Sequence, residues 1–528
     1  MVLLKKYFPD SLIFTFLLMI GIKISYHSQN ITDVDSFDES IYLFRGTTIN
    51  PFIKHHLDGF FYYAWYKVLS LFTADNSGLF FLNYSILLVL PALLIFIFLR
   101  VIKVNLLIAF VCALIFLISS ANVFVIPFIT KFAFCVILTG LMFIYKIKGR
   151  SSKMLAAVLL SFVMIYIRPE FIFTLFATSL LYLLLVIKNF KSGKKKSVLK
   201  EVLPLFLLIL LMIFFNPVSR HRANVAFTQH YAKDILERPS KTSPDPENNT
   251  MPGEIMQEHF STELSMSEAI MNNPKNFFEH TGYNLLRFRE HLYDAFPYLV
   301  IQDDNKILFV CFYIFFTAVL LTAIYFFYKR IVKKSLGQFA LIFFLFFVPP
   351  FISSIIYYPR VHYIILCIAF ILIYLSNELS SRVASVLLFK KYSFHAAIIS
   401  GLLTVFLLPF RAGSASIHET NCTILHTAME LNKFDFKDEV NFFAVGPGIV
   451  TFLNNDWKYV SDELFEKQFN SFVDQYNINL ILVNDHFYAH PLIKTDPGTN
   501  IFLKDTAFVR IDIPGCSSFL MARKDIVK

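Results

Sequence analysis

The sequence has little charge for its length, which excludes an ordinary soluble protein. Of its 528 residues, 16% are charged and 56% are hydrophobic, and 63 are phenylalanine. Soluble domains carry about 25% charged residues and fewer aromatics. The composition therefore predicts an α-helical polytopic membrane protein. The net charge of +10 does not indicate a nucleic-acid partner, because the basic residues fall in short runs between apolar segments, where orienting charges belong.

The N-terminus has no small-residue cleavage site of the kind that ends a signal peptide. Lys5 and Lys6 precede an apolar run from Ser11 to Ile22, after which the chain continues directly into an acidic stretch. We therefore expect an uncleaved first membrane anchor.

Cysteine is scarce, and the histidines have no metal-ligand spacing. Cys422 and Cys516 lie in the polar C-terminal region and could pair if that region faces an oxidising compartment. The other four cysteines lie in apolar segments and are expected to pack as small hydrophobic side chains: Cys112, Cys135, Cys311 and Cys367.

Long apolar runs are what the sequence does have. A helix needs roughly 20 apolar residues to cross the hydrocarbon core, which predicts about eleven membrane spans. Their approximate bounds are 9–26, 78–99, 104–121, 123–145, 153–167, 170–188, 200–217, 306–328, 337–357, 361–377 and 392–410.

The loops between these spans differ in charge. With a cytoplasmic N-terminus, every connection on the inside is basic, as the positive-inside rule requires. The outside then holds an acidic loop at 27–77, a long loop at 218–305 and the C-terminal tail. We expect a multi-pass plasma (inner) membrane protein whose unusual chemistry lies on the extracytoplasmic face.

The C-terminal region has the composition of a soluble domain. Apolar runs at 440–446, 478–484 and 508–513 predict strands, and they alternate with helical patterns at 424–433 and 460–476. This divides the chain into a transmembrane domain at 1–410 and a small extracytoplasmic α/β domain at 411–528. Gly446-Pro447-Gly448 after the first strand is either a phosphate-binding turn or a plain strand-ending turn.

The acidic stretch from Thr32 to Tyr66 is the first candidate for a catalytic loop, because charge beside a membrane is costly and tends to be kept for function. Asp33 and Asp35 form a DxD pattern whose oxygens could hold a divalent cation, Mg²⁺ or Mn²⁺. Asp38 and Glu39 begin a predicted interfacial helix, so they are either dipole complements or catalytic acids.

One arrangement here resembles a known family. The first span is followed by Asp38-Glu39-Ser40-Ile41-Tyr42 and then by an aromatic-rich interfacial helix, DGFFYYAWYKVLSLF, that enters the second span. This resembles the GT-C glycosyltransferases that use polyprenyl-phosphate-linked sugars, in particular the aminoarabinose transferase and protein O-mannosyltransferase branch. The resemblance implies that Asp38 is the catalytic base, Glu39 its partner or a sugar ligand, and Tyr42 a substrate contact.

The sequence departs from that family at one place. Members often carry a Lys-Pro-Pro run before the second interfacial helix, whereas this chain reads Lys54-His55-His56-Leu57-Asp58. Lys54, His55 or His56 could take over the contact with the donor phosphate. Of the three, His56 is the expected phosphate ligand.

Further phosphate ligands are expected among arginines at the outside ends of the spans. Arginine matches phosphate oxygens with a bidentate fork, and the alternative for each is an interfacial side chain that extends toward water. The candidates are Arg168, Arg220, Arg222 and Arg360.

Two other functions fit a chain with many spans. An O-antigen polymerase or ligase would depend on arginine and histidine in the long outside loop rather than on Asp38. A transporter or lipid flippase is the alternative from another class, although the sequence has no detectable internal repeat of the kind that many transporters have. In the preferred interpretation the partners are a polyprenyl-phosphate-linked sugar donor and membrane lipids.

Overall fold

The computed structural model describes the chain with several gaps. The described residues are 2–30, 32–34, 38–48, 59–73, 75–124, 126–191, 195–215, 220–237, 252–261, 266–294, 325, 337–383, 387–407, 422–436, 439–446, 448–453, 456–465, 468–504 and 506–528.

Helices dominate the described chain before residue 410. They are Val2–Ser25, Asp38–Thr48, Phe60–Leu69, Asn76–Val101, Leu106–Leu117, Ser120–Phe124, Ile129–Lys146, Arg150–Ile165, Ile172–Lys191, Lys195–Phe214, Arg220–Glu237, Pro252–Phe260, Met266–Asn272, Pro274–Asp294, Gln338–Ile356, Val361–Val383 and Leu387–Leu407. Short 3-10 helices occur at Ser28–Asn30 and Pro169–Phe171.

Within the described residues, six helical segments are long and apolar enough to cross a bilayer, which makes this a membrane protein. They are Phe8–Asn30, Asn76–Val101, Ile129–Lys146, Pro169–Lys191, Gln338–Ile356 and Val361–Arg382. Each coincides with one of the spans that the sequence predicts.

The count of about eleven spans is not confirmed. Leu106–Leu117, for example, has 12 residues, which is too short for a helix that needs roughly 20 to cross the core. Four predicted spans coincide with helices that do not reach the length and hydropathy of a span: 104–121, 153–167, 200–217 and 392–410. The predicted span at 306–328 lies almost wholly outside the described residues.

A five-stranded sheet forms in the C-terminal region, as the sequence predicts. Its strands are β1 Asn441–Phe443, β2 Lys458–Val460, β3 Leu480–Val483, β4 Phe508–Asp512 and β5 Phe519–Arg523, in the order β2-β1-β3-β5-β4. β1 pairs in parallel with β2 and β3, whereas β5 pairs antiparallel with β3 and β4. Sequence patterning missed β2 and β5.

Helices accompany the strands of this module. They are Ile424–Leu431, Ile449–Phe452, Asp462–Leu464, Phe469–Gln475, Asp485–Ala489, Pro491–Thr495 and Pro497–Phe502, of which Ile449–Phe452 and Asp462–Leu464 are 3-10 helices. Phenylalanines of the strands, of the helices and of the segments between them form the core of the module, and their burial stabilises it. The central members are Phe443, Phe465, Phe469, Phe472 and Phe487. A disulfide joins Cys422 to Cys516 and brackets the module.

The chain divides into two compact units. Unit 1 contains Met1–Lys23, Phe52–Phe61 and Ile86–Pro409, and unit 2 contains Ile24–Pro51, Tyr62–Ser85 and Phe410–Lys528. The last segment of unit 2 begins at Phe410. Unit 2, however, also includes most of the first predicted outside loop.

Specific contacts join that loop to the C-terminal module within unit 2. Asn76 Nδ2 donates to the carbonyl of Thr451 at 2.7 Å, and the Thr451 hydroxyl donates to the carbonyl of Ser40 at 3.4 Å. The rings of Phe80 and Phe452 meet edge to face. The first loop is therefore part of the folded C-terminal unit.

Candidate functional site

The acidic stretch after the first span forms a buried network around Glu39. Glu39 lies in the helix Asp38–Thr48 and has no exposed surface. Its Oε1 atom accepts hydrogen bonds from the hydroxyl of Tyr62 at 2.5 Å, from the hydroxyl of Tyr66, and from Asn83 Nδ2 at 3.2 Å. Hydroxyl and amide donors thus satisfy a side chain that would otherwise be costly to bury.

Local sequence explains how these donors converge. Tyr62 and Tyr66 are four residues apart on the helix Phe60–Leu69 and therefore share one face. Gly46 lets the two helices approach closely, because a Cβ atom there would lie 2.5 Å from the Cβ of Tyr66. Trp65 Nε1 donates to Asn83 Oδ1 at 2.8 Å, which turns the Asn83 amide nitrogen toward the tyrosine hydroxyls.

The two tyrosines remain donors at any physiological pH. Burial, and next the neighbouring Glu39, raise the pKa of Tyr62 and of Tyr66 well above the ordinary tyrosine value. Their hydroxyls therefore stay protonated and keep their hydrogen bonds to Glu39.

The structure separates the predicted catalytic pair. Asp38 is exposed, whereas Glu39 is fully buried, because neighbouring positions on a helix project about 100° apart. Tyr42 is also buried, and its ring packs 5.5 Å from that of Tyr62 and 5.8 Å from that of Tyr63. Of these acids, Asp38 is the one at the surface, where a substrate can reach it.

Asp33 binds backbone rather than displaying its oxygens. Its Oδ2 accepts from the N–H of Ile424 at 2.7 Å and its Oδ1 from the N–H of Leu425 at 3.0 Å, at the start of the helix Ile424–Leu431. The N-cap residue of this helix is Thr423, whose hydroxyl accepts from the N–H of His426. Asp33 caps two further N–H groups of the same helix and complements its dipole. A metal-binding role for Asp33 stays a prediction.

Several other predicted site residues lie outside the part of the chain that the structure describes. Asp35 and His56 lie outside the described residues, as do Lys54, His55 and Asp58. Arg220 begins the helix Arg220–Glu237, but its side chain lies outside the described part. Among the described residues, no group of three or more His, Cys, Asp or Glu side chains could hold a metal ion. The divalent cation stays a prediction.

Unit 1 contains a second group of polar side chains, around the turn that joins the apolar helices Gln338–Ile356 and Val361–Val383. We call it the cationic cluster. It comprises Arg168, Glu170, His230, Lys233, Asp234, Arg287, Tyr358, Arg360 and Tyr363.

Arg168 is held firmly in this cluster. Its Nε donates to Glu170 Oε1 at 2.6 Å, its Nη1 donates to the hydroxyl of Thr130 at 3.1 Å, and its guanidinium lies 4.8 Å from the centre of the Tyr363 ring. Arg168 is buried and does not extend toward water as an interfacial arginine would.

Tyr358 is the centre of the remaining contacts. Lys233 Nζ lies 5.2 Å and Arg287 Cζ 5.4 Å from the centre of its ring, and the His230 ring stacks on it at 5.9 Å. Arg287 is oriented by Asp234 at 3.3 Å, which also contacts His280 Nδ1 at 2.7 Å. Cation–π contacts with the Tyr358 ring thus help to hold Lys233 and Arg287 in place.

Arg360 contributes to the field of the cluster. Its backbone carbonyl accepts from the N–H of Tyr363 at 3.0 Å and so starts the helix Val361–Val383. Burial, and then the charges of Arg360 and Lys233, lower the pKa of His230 to about 3. His230 is therefore neutral at physiological pH.

Cations outnumber carboxylates among the described members of the cluster. Its two carboxylates, Glu170 and Asp234, accompany four cations: Arg168, Lys233, Arg287 and Arg360. An excess of guanidinium groups beside aromatic rings is suited to binding a phosphate.

Sequence reasoning selected Arg168 and Arg360 but missed the residues that complete the cluster. His230, Lys233 and Asp234 come from the helix Arg220–Glu237, and Arg287 comes from Pro274–Asp294. The available signal was the spacing of His230 and Asp234, four residues apart on one face of a helix. Nothing in the sequence pairs that face with the distant turn at Arg360.

The chain was compared with protein-family models and with curated proteins. No protein-family model matches the chain, and no curated protein is found to be similar to it. The functional argument therefore depends on the residues themselves.

Proposed function

We propose that this protein is an integral membrane glycosyltransferase of the GT-C type, which transfers a sugar from a polyprenyl-phosphate donor to an extracytoplasmic acceptor. The observation that carries the proposal is the cationic cluster at the ends of apolar helices, whose described members include three arginines and a lysine. A lipid phosphate combines an anionic head with a long apolar chain, and such a location suits both parts.

The chemistry needs two kinds of group. Cations stabilise the charge that develops on the departing phosphate, and a carboxylate takes the proton of the acceptor hydroxyl. Arg168, Arg287 and Arg360 supply the first function in this proposal. Asp38 supplies the second, since it is exposed at the start of a helix that the buried Glu39 fixes in place.

The roles within the predicted acidic pair are unequal in this proposal. Glu39 is a positioning residue, because two tyrosine hydroxyls already share its Oε1. Tyr42 belongs to the packing of the same helices. Asp38 belongs to unit 2 and the cationic cluster to unit 1, and the proposal assigns a separate role to each of them.

The disulfide supports an extracytoplasmic position for the C-terminal module. Disulfides such as Cys422–Cys516 persist in oxidising compartments and are rare in the cytosol. In this proposal the module lies on the outer face of the plasma membrane of a bacterium or, as the alternative, in the lumen of the endoplasmic reticulum.

Lipid binding and sugar transfer test the two roles separately. Undecaprenyl phosphate in nanodiscs is the binding probe, measured by native mass spectrometry, and release of that lipid from a panel of undecaprenyl-phosphate-linked sugars reports transfer. We expect Arg360→Gln to weaken lipid binding about tenfold or more, because a charge-assisted hydrogen bond contributes roughly 1.5–3 kcal/mol. Asp38→Asn should leave lipid binding unchanged and reduce transfer about a hundredfold or more.

The matched control is Arg289→Gln, because Arg289 is exposed on the helix that also carries Arg287. Lipid binding by this variant should equal that of the parent protein. Equal binding by Arg360→Gln would contradict the phosphate role, and full transfer by a folded Asp38→Asn would contradict the catalytic role.

One observation favours a second candidate function, that of an O-antigen polymerase or ligase. Such an enzyme would depend on arginine and histidine in the long loop, and Arg287 and His291 both contact the Tyr358 ring. The transfer activities of two variants together distinguish the two candidate functions. If Arg287→Gln abolishes transfer while Asp38→Asn is silent, the second candidate is correct.

A further inference from the structure

The C-terminal module contains a cavity of about 140 Å³ that the proposed transfer reaction does not use. Thr427 and Ser518 are buried in its wall, and the Cys422–Cys516 disulfide borders it through Cys422. Ser517 and Asp485 lie at its exposed rim. The cavity lies wholly within unit 2.

The topology of the sheet explains why a cavity forms here. The strand order β2-β1-β3 means that the chain leaves β1 toward one side and returns to pair with its other side. Loops after two such parallel strands diverge and leave a crevice at their carboxyl ends, which is where open α/β sheets bind ligands. Val445 and Gly446 follow β1, and Asn484 and Asp485 follow β3, and all four line the cavity.

Backbone geometry keeps this crevice open. Gly446 has a φ of +83°, in the left-handed region that favours glycine. Asn484 accepts a hydrogen bond from the N–H of Phe487 at 2.9 Å, which fixes the turn that presents Asp485. Gly446, the first residue of the Gly446-Pro447-Gly448 motif, therefore lies in the wall of the cavity.

The lining selects a class of ligand. Its polar side chains offer hydroxyls, an amide, an imidazole and one carboxylate, and the described lining contains neither lysine nor arginine. Without a cation, this lining does not suit a phosphate or another anion. Hydroxyl, amide and carboxylate groups are, however, the partners that the hydroxyls of a sugar need.

Size restricts the ligand further. Pockets for drug-sized ligands have volumes of about 300–1,000 Å³. At about 140 Å³ this cavity is smaller and suits a single sugar ring. We propose that the C-terminal module binds one neutral monosaccharide unit in the cavity between the ends of β1 and β3, with Asp485, Ser517 and Ser518 as ligands. This inference stands independently of the proposed transfer function.

Saturation-transfer difference NMR on the full chain, in a detergent without a sugar headgroup, tests the inference. The probes are N-acetylglucosamine, galactose and mannose, with glucuronic acid and inorganic phosphate as charged comparisons. We expect a saturation-transfer signal from at least one neutral sugar. Its affinity should fall about tenfold in Asp485→Ala, through loss of a hydrogen bond to a charged group. Ser517→Tyr, which fills the cavity from its rim, should abolish binding.

The control variant is Asp474→Ala, because Asp474 is an exposed acid of the same module that does not line the cavity. It should bind the sugar as the parent chain does. The inference is overturned if no neutral sugar shows transfer, if only glucuronic acid or phosphate binds, or if both cavity variants bind like the control.

Discussion

The buried network around Glu39 and the cationic cluster around Tyr358 differ in how far their charged groups are buried. Glu39 is fully buried, and its Oε1 is shared by three donors that are buried as well. In the cationic cluster, four cations accompany two carboxylates, and Lys233 is exposed while Arg360 is half-buried. The first is a closed arrangement and the second an open one.

Because of this difference, we expect the network to contribute to stability and the cluster to contribute to ligand binding. A polar group whose partners are complete in the folded chain contributes mainly to stability, because breaking it leaves buried donors without an acceptor. A cluster with excess positive charge costs stability through repulsion and gains from a bound anion. Substitutions in the first group should therefore appear in unfolding, and substitutions in the second should appear in ligand binding.

The largest effect on stability is expected for Glu39→Ala. The change removes the acceptor shared by Tyr62, Tyr66 and Asn83, and unsatisfied buried donors cost about 1–3 kcal/mol each. We expect the free energy of unfolding to fall by about 3 kcal/mol or more. Thermal unfolding in detergent measures it.

The matched variant for that experiment is Asp38→Ala, one residue away and exposed. An exposed substitution of this kind should change stability by about 0.5 kcal/mol or less. Similar melting temperatures for the two variants would break the comparison, because Glu39 would then not be an anchor.

A pH titration of stability tests the environment of His230 in the cationic cluster. The pKa of His230 is about 3 in the folded protein, below the value of about 6.5 for an unfolded chain. Between these values the unfolded state binds a proton that folded His230 does not, so stability is complete above about pH 6.5 and is lost as the pH falls. At pH 5 the loss should reach roughly 2 kcal/mol.

His230→Gln should remove this part of the acid sensitivity. His395→Gln is the control, since His395 is exposed and should leave the slope of melting temperature against pH unchanged. If His230→Gln keeps the parent's slope between pH 7.5 and 5, then His230 is not the buried neutral group described above.

The smallest expected effect is that of Asp33→Ala. Asp33 caps the helix Ile424–Leu431, and loss of such a cap costs about 1 kcal/mol. Thermal unfolding should show this decrease both with and without a metal chelator. A decrease that disappears when the chelator is present would indicate that Asp33 binds a metal, as the DxD pattern suggests, and would contradict the cap.

Local patterns in the sequence predicted much of this fold. Long apolar runs identified the six helices that can span a membrane, and short apolar runs rich in strand-forming residues identified β1, β3 and β4. Hydropathy does not by itself fix the number of spans, because it measures composition and not where a helix ends, as Leu106–Leu117 illustrates. β2 escaped detection because it is not an apolar run: it begins with the exposed Lys458, and only Val460 is buried.

The candidate site was less accessible to sequence reasoning, because its groups meet through distant contacts. Nothing near Glu39 indicates that Asn83 will reach it, and nothing near Arg360 indicates His230. Composition treats the acids at 33, 38 and 39 alike. Only packing distinguishes a cap, an exposed acid and a buried acceptor.

The contact between Asp33 and the N–H groups of Ile424 and Leu425 has a consequence for biosynthesis. Partners separated by 391 residues meet in one folded unit, and the ribosome delivers them at opposite ends of synthesis. The segment around Asp33 must therefore wait, without its final contacts, until the last quarter of the chain has been made. An incomplete chain released near Pro409 would lack the module that contacts this loop, and the loop would be exposed to quality-control proteases.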